Sequence, residues 1–202
     1  PMTFFGYKPS TLALWVVLSL PALTMIDPLL GDNARAFHRL LHPTGEWAAR
    51  FMIIGMMASG LMLLFRKQQW PRWLMRHRRD LGVAAFAYAT LHLVVYVIDR
   101  GALDRIIEQV SQVRIWTGWL AFLVFVPLAV TSNDAAQRWL GTGWKTMQRM
   151  AWPAAILVLI HWAAMKDWGN WSPAAVHFGP LFALWGYRLW YWHLRQRAPA
   201  AP

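Results

Sequence analysis

The sequence is built from six apolar blocks of about twenty residues each, at 11–30, 44–65, 80–98, 115–131, 148–165 and 174–193, separated by polar connections. A helix rises about 1.5 Å per residue, so each block approaches or exceeds the length that crosses the roughly 30 Å hydrocarbon core of a bilayer. Packing the same blocks as buried helices of a water-soluble protein leaves too few polar residues to cover a surface. Of 202 residues, 57% are hydrophobic and 14% charged, against about a quarter charged in a soluble domain. The expected fold is all-α, a polytopic six-transmembrane-helix bundle that makes residues 1–202 a single transmembrane domain. The first block lacks a small-residue cleavage pattern and is expected to stay as the first helix.

The formal charge is +11, from 20 Lys and Arg against 9 Asp and Glu. These cations lie between the apolar blocks rather than in one basic arm, which argues against nucleic acid and for topology signals and anionic lipid head groups. The connection between spans two and three carries Arg66, Lys67, Arg72, Arg76, Arg78 and Arg79, and the one between spans four and five carries Arg138, Lys145 and Arg149. Lys8, Arg195 and Arg197 fall on the same side. On the opposite side bases alternate with acids, as in Asp99, Arg100, Asp104, Arg105, Glu108 and Arg114. The positive-inside rule then puts both termini in the cytoplasm of a bacterial-type inner membrane.

Fifteen tryptophans are present, and Trp70, Trp73, Trp116, Trp144, Trp168, Trp171 and Trp190 fall near span ends, the pattern of an interfacial aromatic belt. Met52, Met56, Met57 and Met62 have the near-helical spacing of packing residues. No internal repeat, low-complexity tract or linker is evident. The chain has no cysteine, which excludes disulfides, iron–sulfur clusters and thiolate-ligated haem.

Of the seven histidines, only His92 and His161 lie well inside apolar spans. An imidazole at that depth is costly and meets a partner inside the bundle. His92 lies 12 residues beyond Asp80 and His161 lies 13 beyond Gln148, depths of about 18 and 20 Å on spans that run in the same direction. Imidazole is an axial ligand of haem iron, so the pair is a candidate for holding one porphyrin between two helices. The alternative is that each ring merely bonds a neighbouring helix. Arg50 sits about six residues inside the outer end of span two, near where an outward haem propionate would lie, unless it snorkels to the interface. His38 and His42 flank the outer entrance to span two, where they serve as caps or a substrate site. His177 stands near the outer start of span six, His193 at a cytoplasmic helix end, and His77 in a solvated basic run.

The segments HPTGEWA at 42–48, RRDLGVAAFAYATLHLVVY at 78–96, LAVTSNDAAQRWLGTGW at 128–144 and LIHW at 159–162 resemble, in that order, the haem-binding membrane subunits of periplasmic methionine sulfoxide reductase systems. This MsrQ-like family lies within the ferric-reductase-like transmembrane superfamily. The resemblance covers spans two to five and implies a six-helix cytochrome b. Such a subunit takes electrons from quinol or a cytoplasmic flavin reductase and passes them to a periplasmic molybdopterin-type reductase. It implies haem b, with FMN or quinone as further cofactors, and its ligand histidines map onto His92 and His161. A further family histidine is replaced here by Gln148, a poor haem ligand, so one haem is expected rather than two, and a Thr-Pro-Leu segment is replaced by Ser59-Gly60-Leu61. Relatives with a flavin and nicotinamide domain carry it after the bundle, and no glycine-rich nucleotide fingerprint follows a strand here.

The expected role is therefore an electron-transfer subunit, an oxidoreductase component rather than a complete catalyst. The alternatives are a stand-alone metal or quinone reductase working at the outer haem edge, and a structural or assembly subunit that has lost its redox role.

Overall fold

The computed structural model describes residues 9–30, 35–165 and 168–194, and every regular element among them is helical. The first apolar block is broken: α1 (Pro9–Leu23) ends in a turn over 24–26, and a single helical turn, α2 (Asp27–Leu30), follows. Pro21 inside α1 removes one backbone donor from its last turn. The second block is longer than its apolar run suggests, because α3 (Ala36–Leu64) carries the HPTGEW segment as helix and keeps Pro43 in its interior. The connections are helical too, with α4 (Trp70–Arg76) between α3 and α5 (Arg78–Arg100), and α6 (Leu103–Gln109) before α7 (Val113–Val130). Two more short helices, α8 (Asp134–Leu140) and α9 (Thr142–Gln148), precede α10 (Ala151–Ala164), and α11 (Ser172–Leu189) runs into a π-helical turn at Trp190–Leu194.

Of the six expected spans, α3, α5 and α7 are long and apolar enough to cross a membrane by length and composition. The helix of the first block is shorter, apolar over Ser10–Leu23, and α10 has 14 residues.

Two hairpins dominate the packing, α3 against α5 and α7 against α10, with α11 laid along α3. Small residues let the first pair approach: Ala48, Ala84 and Ala85 are all buried, beside Phe51, Met52 and Tyr88. Tyr88 also donates its hydroxyl to Leu18 O at 3.0 Å, which ties α1 to α5. At one end of the bundle His38 and Asp99 pair at 3.4 Å, joining the start of α3 to the end of α5. At the other, here the basic end, Arg79 bonds Asp134 and donates to Gln137 Oε1 at 2.9 Å. That guanidinium holds the Asp134 carboxyl below its usual range, by hydrogen bond first and charge second.

Two expectations from the sequence change here. His77 is not a solvated loop residue: its side chain is 12% exposed, bonded to Asp80 at 2.9 Å and set against the Trp73 ring. Among the belt tryptophans, Trp70, Trp73, Trp116, Trp168, Trp171 and Trp190 are exposed, but Trp144 is buried and donates Nε1–H to Thr131 O at 2.9 Å. Lys8, Arg195 and Arg197 lie outside the described residues.

Candidate functional site: a facing histidine pair

His92 on α5 and His161 on α10 meet in the middle of the bundle, their ring centroids 6.2 Å apart and their planes at 82°. Each ring is held from behind by the first helix of its own hairpin. His92 Nδ1 lies 2.9 Å from Leu41 O and 3.1 Å from Thr44 Oγ1 on α3. His161 Nδ1 bonds Arg114 O on α7. A backbone carbonyl only accepts, so the proton of each neutral imidazole is on Nδ1, and Nε2 at the other edge of the ring keeps its lone pair. An N–H bound to a carbonyl behind the ring is the usual support of a metal-ligating histidine, because it fixes the tautomer and raises the basicity of the free nitrogen.

The two seats are built alike. Thr44 and Thr117 are the buried polar residues among the described residues, both fully enclosed, and both turn their hydroxyls back on their own helix. Thr44 donates to Leu40 O at 2.6 Å, and Thr117 to Val113 O. The next residue in each case is a glycine against the ring. A Cβ on Gly45 would fall 3.1 Å from His92 Cε1 and Nδ1, and a Cβ on Gly118 would fall 2.9 Å from the same atoms of His161. The carbonyl that takes the ring proton stands three residues before the threonine in both helices. Leu41-x-x-Thr44-Gly45 with His92 and Arg114-x-x-Thr117-Gly118 with His161 thus use one seat geometry twice, with no more sequence in common than Thr-Gly. The short TG match was the available signal, and it is weak because the acceptors are backbone atoms that leave no mark on residue type.

The donor set suits a metal-centred group bound between the rings. His92 and His161 would hold such a group through their Nε2 lone pairs, and imidazole is a usual ligand of haem iron. On α5, at the far end of the bundle from Arg79, the Tyr96 hydroxyl and Arg100 Nε are buried without a hydrogen-bond partner.

Arg50 is engaged by other residues. Its Nη2 donates to Glu46 Oε1 at 2.6 Å, its Nε donates to His177 Nε2 at 3.3 Å, and its guanidinium lies 4.8 Å from the Trp47 ring centre. His177 gives its own proton to Pro173 O at 2.7 Å and packs on Trp162, next to His161. His42 is exposed, 3.5 Å from Glu46.

Towards the basic end lies a cavity of about 1130 Å³. Its walls are apolar, with Met52, Phe86, Phe125 and Trp152, and its rim is cationic, with Arg76, Arg79, Lys145 and Arg149. Gln148 lines it and donates to Leu128 O at 3.2 Å and Thr131 Oγ1 at 3.3 Å, and His193 is the single histidine on its wall. The sequence reading did not anticipate this space.

Residues 44–160 match the model of the ferric reductase like transmembrane component. They span both hairpins from the α3 threonine almost to His161, and the chain belongs to that family of helical membrane proteins. Within it the chain belongs to the MsrQ group. The protein-methionine-sulfoxide reductase heme-binding subunit MsrQ of Xanthomonas oryzae pv. oryzae is 35% identical over 153 residues, 74% of this chain and 67% of that protein. Its counterpart in Azospira oryzae is 36% identical over 156 residues, 74% of this chain and 65% of that protein. The chain thus spans about two thirds of the length of these relatives. No solved structure matches it.

Proposed function

We propose that this chain is a membrane electron-transfer subunit that holds one b-type haem between His92 and His161. Electrons pass from a donor on its basic, cytoplasmic side to a reductase partner in the periplasm, as in methionine sulfoxide reduction. The observation that carries this reading is the matched pair of Nδ1–H to carbonyl bonds, which leaves two nitrogen lone pairs on rings 6.2 Å apart. The names of the MsrQ relatives, heme-binding subunits of a methionine-sulfoxide reductase, supply the cofactor and the kind of partner.

Haem, when bound, supplies the one-electron carrier; the chain supplies ligation, orientation and a dry, low-dielectric surrounding. Leu41 O and Arg114 O hold the two rings in the ligating tautomer. The six-span bundle is the architecture adopted here, with α1, α10 and α11 completing the crossings of α3, α5 and α7 in an inner membrane and both termini cytoplasmic. The cationic cavity on that side suits a donor with a flat apolar body and an anionic or polar head, quinol or reduced flavin. With Gln148 and a lone His193 on its walls it offers no pair of imidazoles, so one haem per chain is proposed.

The test is haem content and the reduced-minus-oxidised spectrum of purified protein. His92→Ala and His161→Ala are each expected to abolish or severely deplete haem, while His77→Ala and His193→Ala leave it bound. Folded, monodisperse variants of both ligands with wild-type haem and an unshifted spectrum would overturn the assignment.

A further inference from the structure

Two hairpins present matched histidines, but only one of them continues the face of its ligand with polar side chains. On α5, Tyr96 and Arg100 follow His92 at steps of four, so all three lie along one side of the helix. On α10 the position one turn beyond His161 is Met165. The Tyr96 hydroxyl and Arg100 Nε are both buried and both without a hydrogen-bond partner. An unmade bond at a buried, charged group costs more than the loss of an ordinary hydrogen bond, so a ligand is the natural complement of such a pair.

We propose that Tyr96 and Arg100 form a carboxylate seat for a propionate of the haem, on the side of the ligand pair facing away from the basic end; this inference rests on the ligation reading above. Helical side chains lean toward the helix N-terminus, which on α5 is the direction of His92. Arg100 does lean that way, its guanidinium carbon 5.4 Å from the centre of the Tyr96 ring. Tyr96 stands about 6 Å along the axis from His92 and Arg100 about 12 Å. A folded-back arginine therefore brings its charge to within reach of a carboxylate on the rim of a porphyrin ligated by His92. Asp99, next to Arg100 in the chain, faces His38, and Glu46 holds Arg50. A carboxylate from the cofactor would satisfy both orphaned donors, one with a charge-assisted bond.

The experiment uses the purified holoprotein in detergent and reads the haem midpoint potential and the rate of haem transfer to excess apomyoglobin. A cation beside the porphyrin favours the reduced, less positive iron. Arg100→Gln is therefore expected to lower the potential and speed haem loss severalfold, Arg100→Lys to fall between, and Tyr96→Phe to speed haem loss with a smaller shift in potential. Arg105→Gln, the same charge removed from an exposed site on α6, is expected to behave as wild type. Folded Arg100→Gln protein with wild-type potential and haem-loss rate would overturn the proposal. So would an unchanged potential accompanied by loss of co-purifying anionic lipid, which would mark the seat as a headgroup site. If the wild-type protein carries no haem, or keeps it without His92 and His161, the ligation reading has failed. If haem is bound through both histidines and Arg100→Gln changes nothing, only the seat has failed.

Discussion

The His161 ring rests on the bare Cα of Gly118, so closely that a methyl group there would meet Cε1 and Nδ1 at 2.9 Å. Real Cβ atoms do not sit at that distance, and the ring is pinned from the same helix by Arg114 O. Gly118→Ala is therefore expected to tilt or expel the imidazole, cutting haem content several-fold and broadening the spectrum of what remains. Gly45→Ala, at 3.1 Å from His92, should act in the same direction but less. Gly186→Ala on α11, where a Cβ meets nothing within 4 Å, should leave the spectrum unchanged, and pyridine haemochrome assays on folded protein compare all three.

The threonines before those glycines differ in one respect. Thr44 Oγ1 is 3.1 Å from His92 Nδ1, whereas the hydroxyl of Thr117 bonds Val113 O. Thr44→Val keeps the shape and removes an acceptor for the ring proton, making the imidazole a weaker donor to ferric iron. A rise in midpoint potential is expected for Thr44→Val and none for Thr117→Val, measured by spectroelectrochemistry.

One haem per chain is expected from the pyridine haemochrome assay against folded protein. Gln148, bonded to Leu128 O and Thr131 Oγ1, offers no imidazole, and a clean value of two would show another side chain serving as ligand.

Membrane orientation is testable by single-cysteine labelling in a chain that has no cysteine of its own. Sites near Arg72 and Arg138 should be shielded from an impermeant reagent in intact cells, and a site near Glu108 should react. The reverse pattern would invert the donor and acceptor sides.

The bond between Arg79 and Asp134 gives a pH signature. Because the folded-state value of Asp134 lies below its ordinary 3.8, the stabilisation is complete above that value and is lost as pH falls through the lower folded one. Asp134→Asn should melt below wild type at neutral pH, with the gap closing under acid conditions. The shift should be small, since the carboxylate is exposed.

The depth of His92 and His161 was legible because helix rise is fixed and the apolar blocks are helical, so counting residues locates a side chain along the bundle. What faces each ring was not legible. Leu41 and Arg114 have nothing in common as side chains, and their shared role is played by backbone oxygen. Arg100 read as one charge among several in a connection, because the span boundary at 98 cut α5 two residues short. Arg50 stands at a plausible depth by counting alone, but Glu46 one turn away and His177 on a distant helix both engage it, and only the pairing of α3 with α11 reveals the second. The seven-residue helices α4, α6, α8 and α9 escaped because two turns are too few for a periodicity to stand out.

Two identical hairpins, one from each of two molecules, meeting about an axis along the membrane normal, would bring together the same pair of glycine-backed imidazoles. Such an assembly would also be obliged to carry every other feature twice. One polypeptide that carries both hairpins is under no such obligation: Tyr96 and Arg100 stand beyond His92, while Met165 stands beyond His161. Each half thus has its own side chains, so a histidine pair held in nearly matching seats can sit in surroundings that distinguish its left from its right.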